Sequence, residues 1–358
     1  MPLHAGSCVQ ALNIRCYLSM NKVIIIAEAG VNHNGDYDRA VEMIHAAKKA
    51  GADYVKFQTA VPELVISTIA PKAEYQKENT GTSESQLEMC RKIHLKLSDY
   101  KSLAEICRKE GIGFMSTPFD LVSIDCLAPL GMDYWKIPSG EITNLPYLRK
   151  IGEKGEPVIL STGMCEMHEI DEALHVLEKA GTPRNLVTLL HCNTQYPTPM
   201  ADVNLRAMNE LRKLGAGAVG YSDHTVGIEV PVAAVALGAQ VIEKHFTLDK
   251  SLPGPDHVAS LNPEELTSMV KAIRNIETAL GNGKKTVSDS ERPNIEVARK
   301  SIVAARDIKC GEVFTEENIT VKRPGNGISP MLWDSVLGQT AMRDFQADSL
   351  IELPEKPC

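Results

Sequence analysis

Residues 218–248, AVGYSDHTVGIEVPVAAVALGAQVIEKHFTL, contain two apolar runs, AVGYSDH (218–224) and QVIEKHFTL (240–248). Each carries, towards its end, charged or hydroxyl side chains that a buried strand would normally exclude. The same reading applies upstream to VIIIAEAG (23–30), YVKFQTA (54–60), GFMSTPF (113–119), YWKIPSG (134–140), PVILSTG (157–163) and VTLLHCN (187–193). Eight such runs, separated by helical patterns, predict a (β/α)8 TIM barrel, a fold whose reactions occur at the rim formed by the carboxyl ends of its strands. Polar groups at matching ends of all the strands therefore predict an enzyme and say where its chemistry sits.

The helical patterns are explicit in places. YDRAVEMIHAAKKA (37–50) puts Ala40, Met43, Ile44 and Ala47 on one face, with Gly51 as a stop. Residues 98–111 begin at a Ser98 cap and end at Gly111, and residues 262–281, the expected eighth barrel helix, run from Asn262 to Gly281. The longest insertion, 61–97, separates the second and third runs, as a lid over the rim would. Residues 21–281 are assigned to the barrel, the polar stretch 282–295 to a linker, and 296–358, with the β-like pieces SIVAARDI, VKRPGNGI and LIEL, to a small second domain. The first 20 residues match no barrel element and are read as an extension, either disordered or an added or upstream-start segment.

Composition narrows the function. The chain of 358 residues is 43% hydrophobic and 23% charged with a net charge of -8, which argues against nucleic acid as a partner. An anionic small molecule remains compatible if a few cations gather locally. No run reaches the roughly 18 apolar residues of a membrane span. The nine cysteines are scattered without a disulfide framework, and a cytoplasmic location is expected.

The sharpest constellation is His224 with His245. They close successive strands, which lie about 5 Å apart in a parallel ladder, so two imidazoles there can share a cation. Side chains alternate along a strand, so Ser222 faces with His224, and Glu243 with His245. A lone histidine is more often a hydrogen-bonded core residue; two at adjacent rims favour an open catalytic divalent site. Lys56 and Lys136 lie inside apolar strands, where an unpaired ammonium is expensive. Each needs either an anionic ligand or a barrel acid such as Glu28, Glu141 or Glu243. Thr117, Ser139, Ser161, Asn193 and Ser222 add neutral donors at the same rim, completing a phosphate and carboxylate clamp. A Schiff-base lysine is the rival, made less attractive by the histidines. Glu28 is followed by the polar turn Asn32–Gly35, in which His33 can simply cap. Tyr196 and Asp256 lie in loops after the sixth and eighth strands, where they suit a polyhydroxylated substrate.

AEAGVNHNG (27–35), VKFQT (55–59), STPFD (116–120), KIPSGE (136–141), LSTGM (160–164), YPTP (196–199), SDHT (222–225), EKHFT (243–247), PGPDH (253–257) and KRPGNGISPM (322–331) together resemble the sialic acid (N-acetylneuraminate) synthases, the legionaminic acid synthases included. The resemblance runs in order from residue 23 to the C-terminus. It implies a barrel followed by an antifreeze-like (SAF) domain, and a metal-dependent condensation of phosphoenolpyruvate with an N-acylated mannosamine-type sugar to a nine-carbon 2-keto acid and phosphate. N-acetylmannosamine is the expected acceptor, with 2,4-diacetamido-2,4,6-trideoxymannose, the precursor of N,N'-diacetyllegionaminate, as the alternative. A metal-dependent aldolase or sugar-phosphate epimerase on the same barrel, or an ice-binding role for the second domain, is a remoter reading. By the same resemblance His224 and His245 would bind Mn2+, or else Mg2+ or Co2+. Lys56, Thr117, Lys136, Ser139, Ser161, Ser222 and the Asn193–Thr194 pair would hold phosphoenolpyruvate, with Lys56 and Lys136 in catalytic roles. Glu28, Asn79, Tyr196 and Asp256 would meet the sugar, Glu28 also being the candidate for moving a proton. Arg323 would reach the other subunit's barrel in a domain-swapped homodimer.

Overall fold

The computed structural model describes residues 22–81 and 83–353, so the extension expected at residues 1–20 lies outside the described residues. The chain falls into two compact units that part between Gly281 and Asn282.

The first unit is the barrel. Its strands are β1 (Ile24–Gly30), β2 (Tyr54–Thr59), β3 (Gly113–Pro118), β4 (Trp135–Ile137), β5 (Val158–Ser161), β6 (Val187–His191), β7 (Ala218–Asp223) and β8 (Val241–His245). The eight form one sheet in the order β3-β2-β1-β8-β7-β6-β5-β4, every pair parallel, and the pairing of β1 with β8 brings the first and last strands together. The outer strands of that order, β3 and β4, lie against each other.

Alternation along the strands builds two layers. Ile25 and Ala27, Val55 and Phe57, Trp135 and Ile137, Val158 and Leu160, Val219 and Tyr221 pack outward under the helices. The opposite parity, Ile24, Ile26, Met115, Tyr134, Ile159, Leu190 and Val241, fills the interior with a separate apolar plug. Two residues further along those same inward rows come Glu28, Thr117, Lys136, Ser161, Cys192 and Glu243. The period of two that buries the plug thus delivers a layer of polar groups directly above it. Gly220 belongs to an inward row, and a Cβ there would lie 2.3 Å from the Val241 carbonyl and 2.7 Å from Leu190. Gly220→Ala is expected to cost about 1–3 kcal/mol by overpacking, read as a lower midpoint in urea denaturation.

The expected helices form at Tyr37–Ala50, Asp99–Glu110 and Pro263–Leu280. Asp36 caps the first by accepting from Arg39 N (3.1 Å), and Gly51 ends it at φ 86°. Asn262 and Glu265 form a reciprocal capping box on the last. Ser98 makes no side-chain cap bond; its hydroxyl donates to Asp99 instead (3.3 Å). The insertion after β2 folds into three short helices, Pro62–Val65, Glu74–Thr80 and Gln86–Ile93. Among the described residues no helix is long and apolar enough to cross a membrane.

The second unit contains β9 (Ser301–Ala304) antiparallel to β10 (Ile319–Lys322), around a core that includes Ile302, Phe314 and Phe345. SIVAARDI and VKRPGNGI are strand only over Ser301–Ala304 and up to Lys322, the second stopping just before Arg323-Pro324, where proline supplies no N–H to a ladder. From LIEL, Leu350 contributes a single bridge to Val303. Six cysteines among the described residues, Cys90, Cys107, Cys126, Cys165, Cys192 and Cys310, are free thiols.

Candidate active site

Above the apolar plug lies a cavity of about 580 Å³, lined by Glu28, Lys56, Thr117, Lys136, Ser139, Ser161, Thr194, Tyr196, Ser222, His224, His245 and Asp256 from the residues singled out in the sequence. Strand register sets their spacing. Glu28 is paired with His245 on one side and with Lys56 on the other, and Ser222 with Glu243.

The two lysines meet both carboxylates and hydroxyls. Lys56 Nζ lies 3.0 Å from Glu28 and 3.2 Å from Glu243, and donates to Thr117 Oγ1 (3.1 Å). Lys136 Nζ donates to Ser161 Oγ (2.5 Å) and to the Ile137 carbonyl (3.2 Å), with Glu243 4.0 Å away. Ser222 donates to Glu243 (2.9 Å), and Ser139 Oγ accepts from Gly163 N (2.9 Å). Barrel acids therefore do pair the lysines, as the structural reading expected of Glu28 and Glu243, yet they do so inside an open cavity. Glu141 is not among these partners; it accepts from Asn144 (2.6 Å).

Electrostatics separate the two acids. Burial raises the Glu28 pKa, and Glu243 reinforces the rise against the pull of Lys56. Burial acts on Glu243 too, but Lys136 and Lys56 together outweigh it and hold that carboxyl low. Burial would lower Lys56, yet Glu243 and Glu28 carry it above its ordinary value, whereas Lys136 stays lowered by burial with Glu243 only partly opposing. Asp256 is pushed up to about 7 by burial and by Glu28.

His224 and His245 have ring centroids 5.4 Å apart. Burial lowers both, His224 to about 4 and His245 well below its ordinary value, so both rings are neutral at pH 7. The His224 Nδ1 meets the Asn193 carbonyl, which can only accept, so Nδ1 carries the proton and Nε2 keeps its lone pair. His245 Nδ1 is buried without a hydrogen-bond partner, 3.9 Å from Asp256 Oδ2. Neutral rings, a fixed tautomer and an orphaned ring nitrogen fit a divalent cation. Among the described residues no three His, Cys, Asp or Glu converge as a metal cage, so such an ion would keep two protein ligands and leave positions open.

The remaining expected residues make the following contacts. Asn193 turns its side chain to accept from Gln195 N (2.7 Å) and serves the site through its carbonyl, while Thr194 lines the cavity. Asn79 donates to the Pro255 carbonyl (2.7 Å), tying the insertion to the loop after β8. His33 is buried and its Nδ1 accepts from Gly35 N (3.1 Å) within its own loop. Arg323, in the second unit, donates to the Ala298 carbonyl (3.2 Å). Tyr196 stacks on His224 at 3.9 Å and meets His245 edge-on at 5.5 Å. Of the lining residues not singled out for the site, three contact its polar groups or rings. Glu243 shares the His245 face and was legible by parity. Gln58 donates to Glu28 (3.1 Å) from the inward row of β2. Tyr75, from the insertion, stacks on Tyr196 at 5.1 Å, and no local pattern announces it.

A barrel of this parity with a lysine, carboxylate and histidine rim defines a class, and comparison places the chain within it. The NeuB family matches residues 43–285 and the SAF domain matches residues 299–354. The chain is 54% identical to the N,N'-diacetyllegionaminic acid synthase of Campylobacter jejuni, over 93% of this chain and 99% of that protein. It is 46% identical to the enzyme of the same name from Legionella pneumophila, over 91% and 92%. The crystal structure of the N-acetylneuraminic acid synthetase of Leptospira borgpetersenii superposes with a TM-score of 0.66 at 36% identity, covering 77% of this chain and 90% of that one. The chain belongs to the NeuB family and carries a C-terminal SAF domain. It is an enzyme of the nonulosonic acid synthase type.

Proposed function

We propose that the chain condenses phosphoenolpyruvate with 2,4-diacetamido-2,4,6-trideoxymannose to give N,N'-diacetyllegionaminate and phosphate. The observation that carries the condensation is the single cavity in which two buried ammonium groups, a cluster of hydroxyls and a neutral histidine pair converge. The acceptor differs from the N-acetylmannosamine expected from sequence, because the relatives from Campylobacter and Legionella are diacetyllegionaminic acid synthases.

Lys56 and Lys136 would neutralise the phosphate and carboxylate of phosphoenolpyruvate, with Thr117, Ser139, Ser161, Thr194 and Ser222 donating to its oxygens. A bound Mn2+ on His224 and His245 would supply Lewis acidity towards the aldehyde oxygen. The methylene carbon of phosphoenolpyruvate forms the new bond to the aldehyde carbon, water adds at C2, and the C–O bond breaks as phosphate leaves. Glu28, whose pKa burial raises, would hold or move a proton in this step. The Arg323 contribution and the domain-swapped homodimer implied by the family resemblance belong to the same proposal.

The test is phosphate release from protein, Mn2+ and phosphoenolpyruvate with each sugar in turn, against a no-sugar control. The expected result is release with both sugars, with kcat/KM at least about tenfold higher for the diacetamido sugar. Preference for N-acetylmannosamine overturns the acceptor, and release with neither overturns the condensation.

A further inference from the structure

The cavity has two unlike sides. Its floor is the polar layer of the barrel, while the insertion contributes Val65, Ile66, Met89 and Ile93, joined by Val31 from the loop after β1, beside Glu74, which Lys77 pairs at 2.8 Å, and Tyr75, Gln76, Gln86 and His94. The polar groups of that insertion are largely engaged with one another. Gln76 Oε1 accepts from Ala73 N (3.0 Å) and from Gln86 (3.5 Å), and Gln76 Nε2 donates to the Tyr75 hydroxyl (3.5 Å). Lys72 donates to Thr80 (2.9 Å) and to the Gly81 carbonyl (3.1 Å), and His94 Nδ1 meets the Cys90 carbonyl (2.9 Å). What this side chiefly presents to a ligand is methyl, methylene and ring surface. It begins one ring away from the histidines, through the stack of Tyr75 on Tyr196 on His224.

A sugar with its aldehyde at the floor turns its far carbons towards this wall. A hydroxyl facing carbon there loses water and gains no partner, whereas a methyl gains burial. Resting on the acceptor reading above, we propose that the wall formed by Val65, Ile66, Met89 and Ile93 is the subsite for the C6 methyl and C4 acetamido methyl of the acceptor. Selection between deoxy and hydroxylated acceptors is made by this wall and not by the polar floor.

The experiment compares kcat/KM for N-acetylmannosamine, its 6-deoxy analogue and 2,4-diacetamido-2,4,6-trideoxymannose, in wild type, Ile66→Asn and Ile66→Val. Wild type is expected to gain about tenfold at each step along that series. Ile66→Asn is expected to cut the ratio of 6-deoxy to 6-hydroxy acceptor by about tenfold, and Ile66→Val to keep it. Loss of folded enzyme scales every acceptor alike and leaves the ratio unmoved, so an unmoved ratio in Ile66→Asn overturns the subsite. Equal turnover of the first two sugars by wild type does the same. Absence of phosphate release with every acceptor overturns the synthase reading together with the subsite, whereas turnover with an unmoved ratio overturns the subsite alone.

Discussion

His245→Ala is expected to lower kcat by about 10³-fold or more, since on the proposed mechanism it removes one of the two rings that would hold the electrophilic ion. The ring is fully buried, neutral at pH 7 and carries a nitrogen with no protein hydrogen-bond partner. No structural hydrogen bond at that nitrogen accounts for the residue. Three measurements separate the alternatives: phosphate release, Mn2+ binding followed by electron paramagnetic resonance, and far-ultraviolet circular dichroism. The expected outcome is loss of the first two with the third unchanged. Retained Mn2+ affinity would remove the ion from this pair, and a collapsed spectrum would make His245 structural.

Lys244→Ala is expected to destabilise the protein by about 3–5 kcal/mol, the cost of leaving one partner of a buried ion pair alone. Lys244 Nζ lies 2.5 Å from Asp223 Oδ2, both side chains are fully buried, and the ammonium also meets the Thr225 carbonyl. Asp223 accepts in addition from Thr225 N (3.2 Å) and Thr225 Oγ1 (3.0 Å). The pair faces away from the cavity, between Ser222 and His224 on β7 and between Glu243 and His245 on β8, so it locks the ends of those strands from behind. Urea denaturation reads the loss. The double variant Lys244→Met with Asp223→Leu should recover much of it, because an apolar pair of similar volume removes the unpaired charge. No recovery would mean that the hydrogen bonds to Thr225, rather than the charge pairing, hold the strand ends.

The barrel and the histidine pair were legible because strand parity is a local property. The plug residue Ile26 and the site residue Glu28 obey one alternation, and so do Ser222 with His224 and Glu243 with His245. Glu243 was visible by that rule and was read only as a lysine partner, since sequence does not say that it stands between two ammonium groups. Asn193 adds a contact that no sequence shows: its bond to His224 is made by a backbone carbonyl, which every residue type possesses. Asn79 and Tyr75 lie in the insertion, where position follows from packing against loops more than a hundred residues away in sequence. The choice of acceptor was illegible because none of the quoted motifs falls within the insertion 61–97, which supplies the apolar side of the cavity.

The placement of Glu28, in register with Lys56 on one flank and His245 on the other, means that reactivity here is written into a hydrogen-bonded ladder. On the proposed subsite, selectivity by contrast would rest on a connecting segment outside that ladder, tied to it through Asn79 and Tyr75. Transplanting residues 61–97 from a relative with a different sugar preference should therefore retarget the catalyst in one move, leaving its reaction intact.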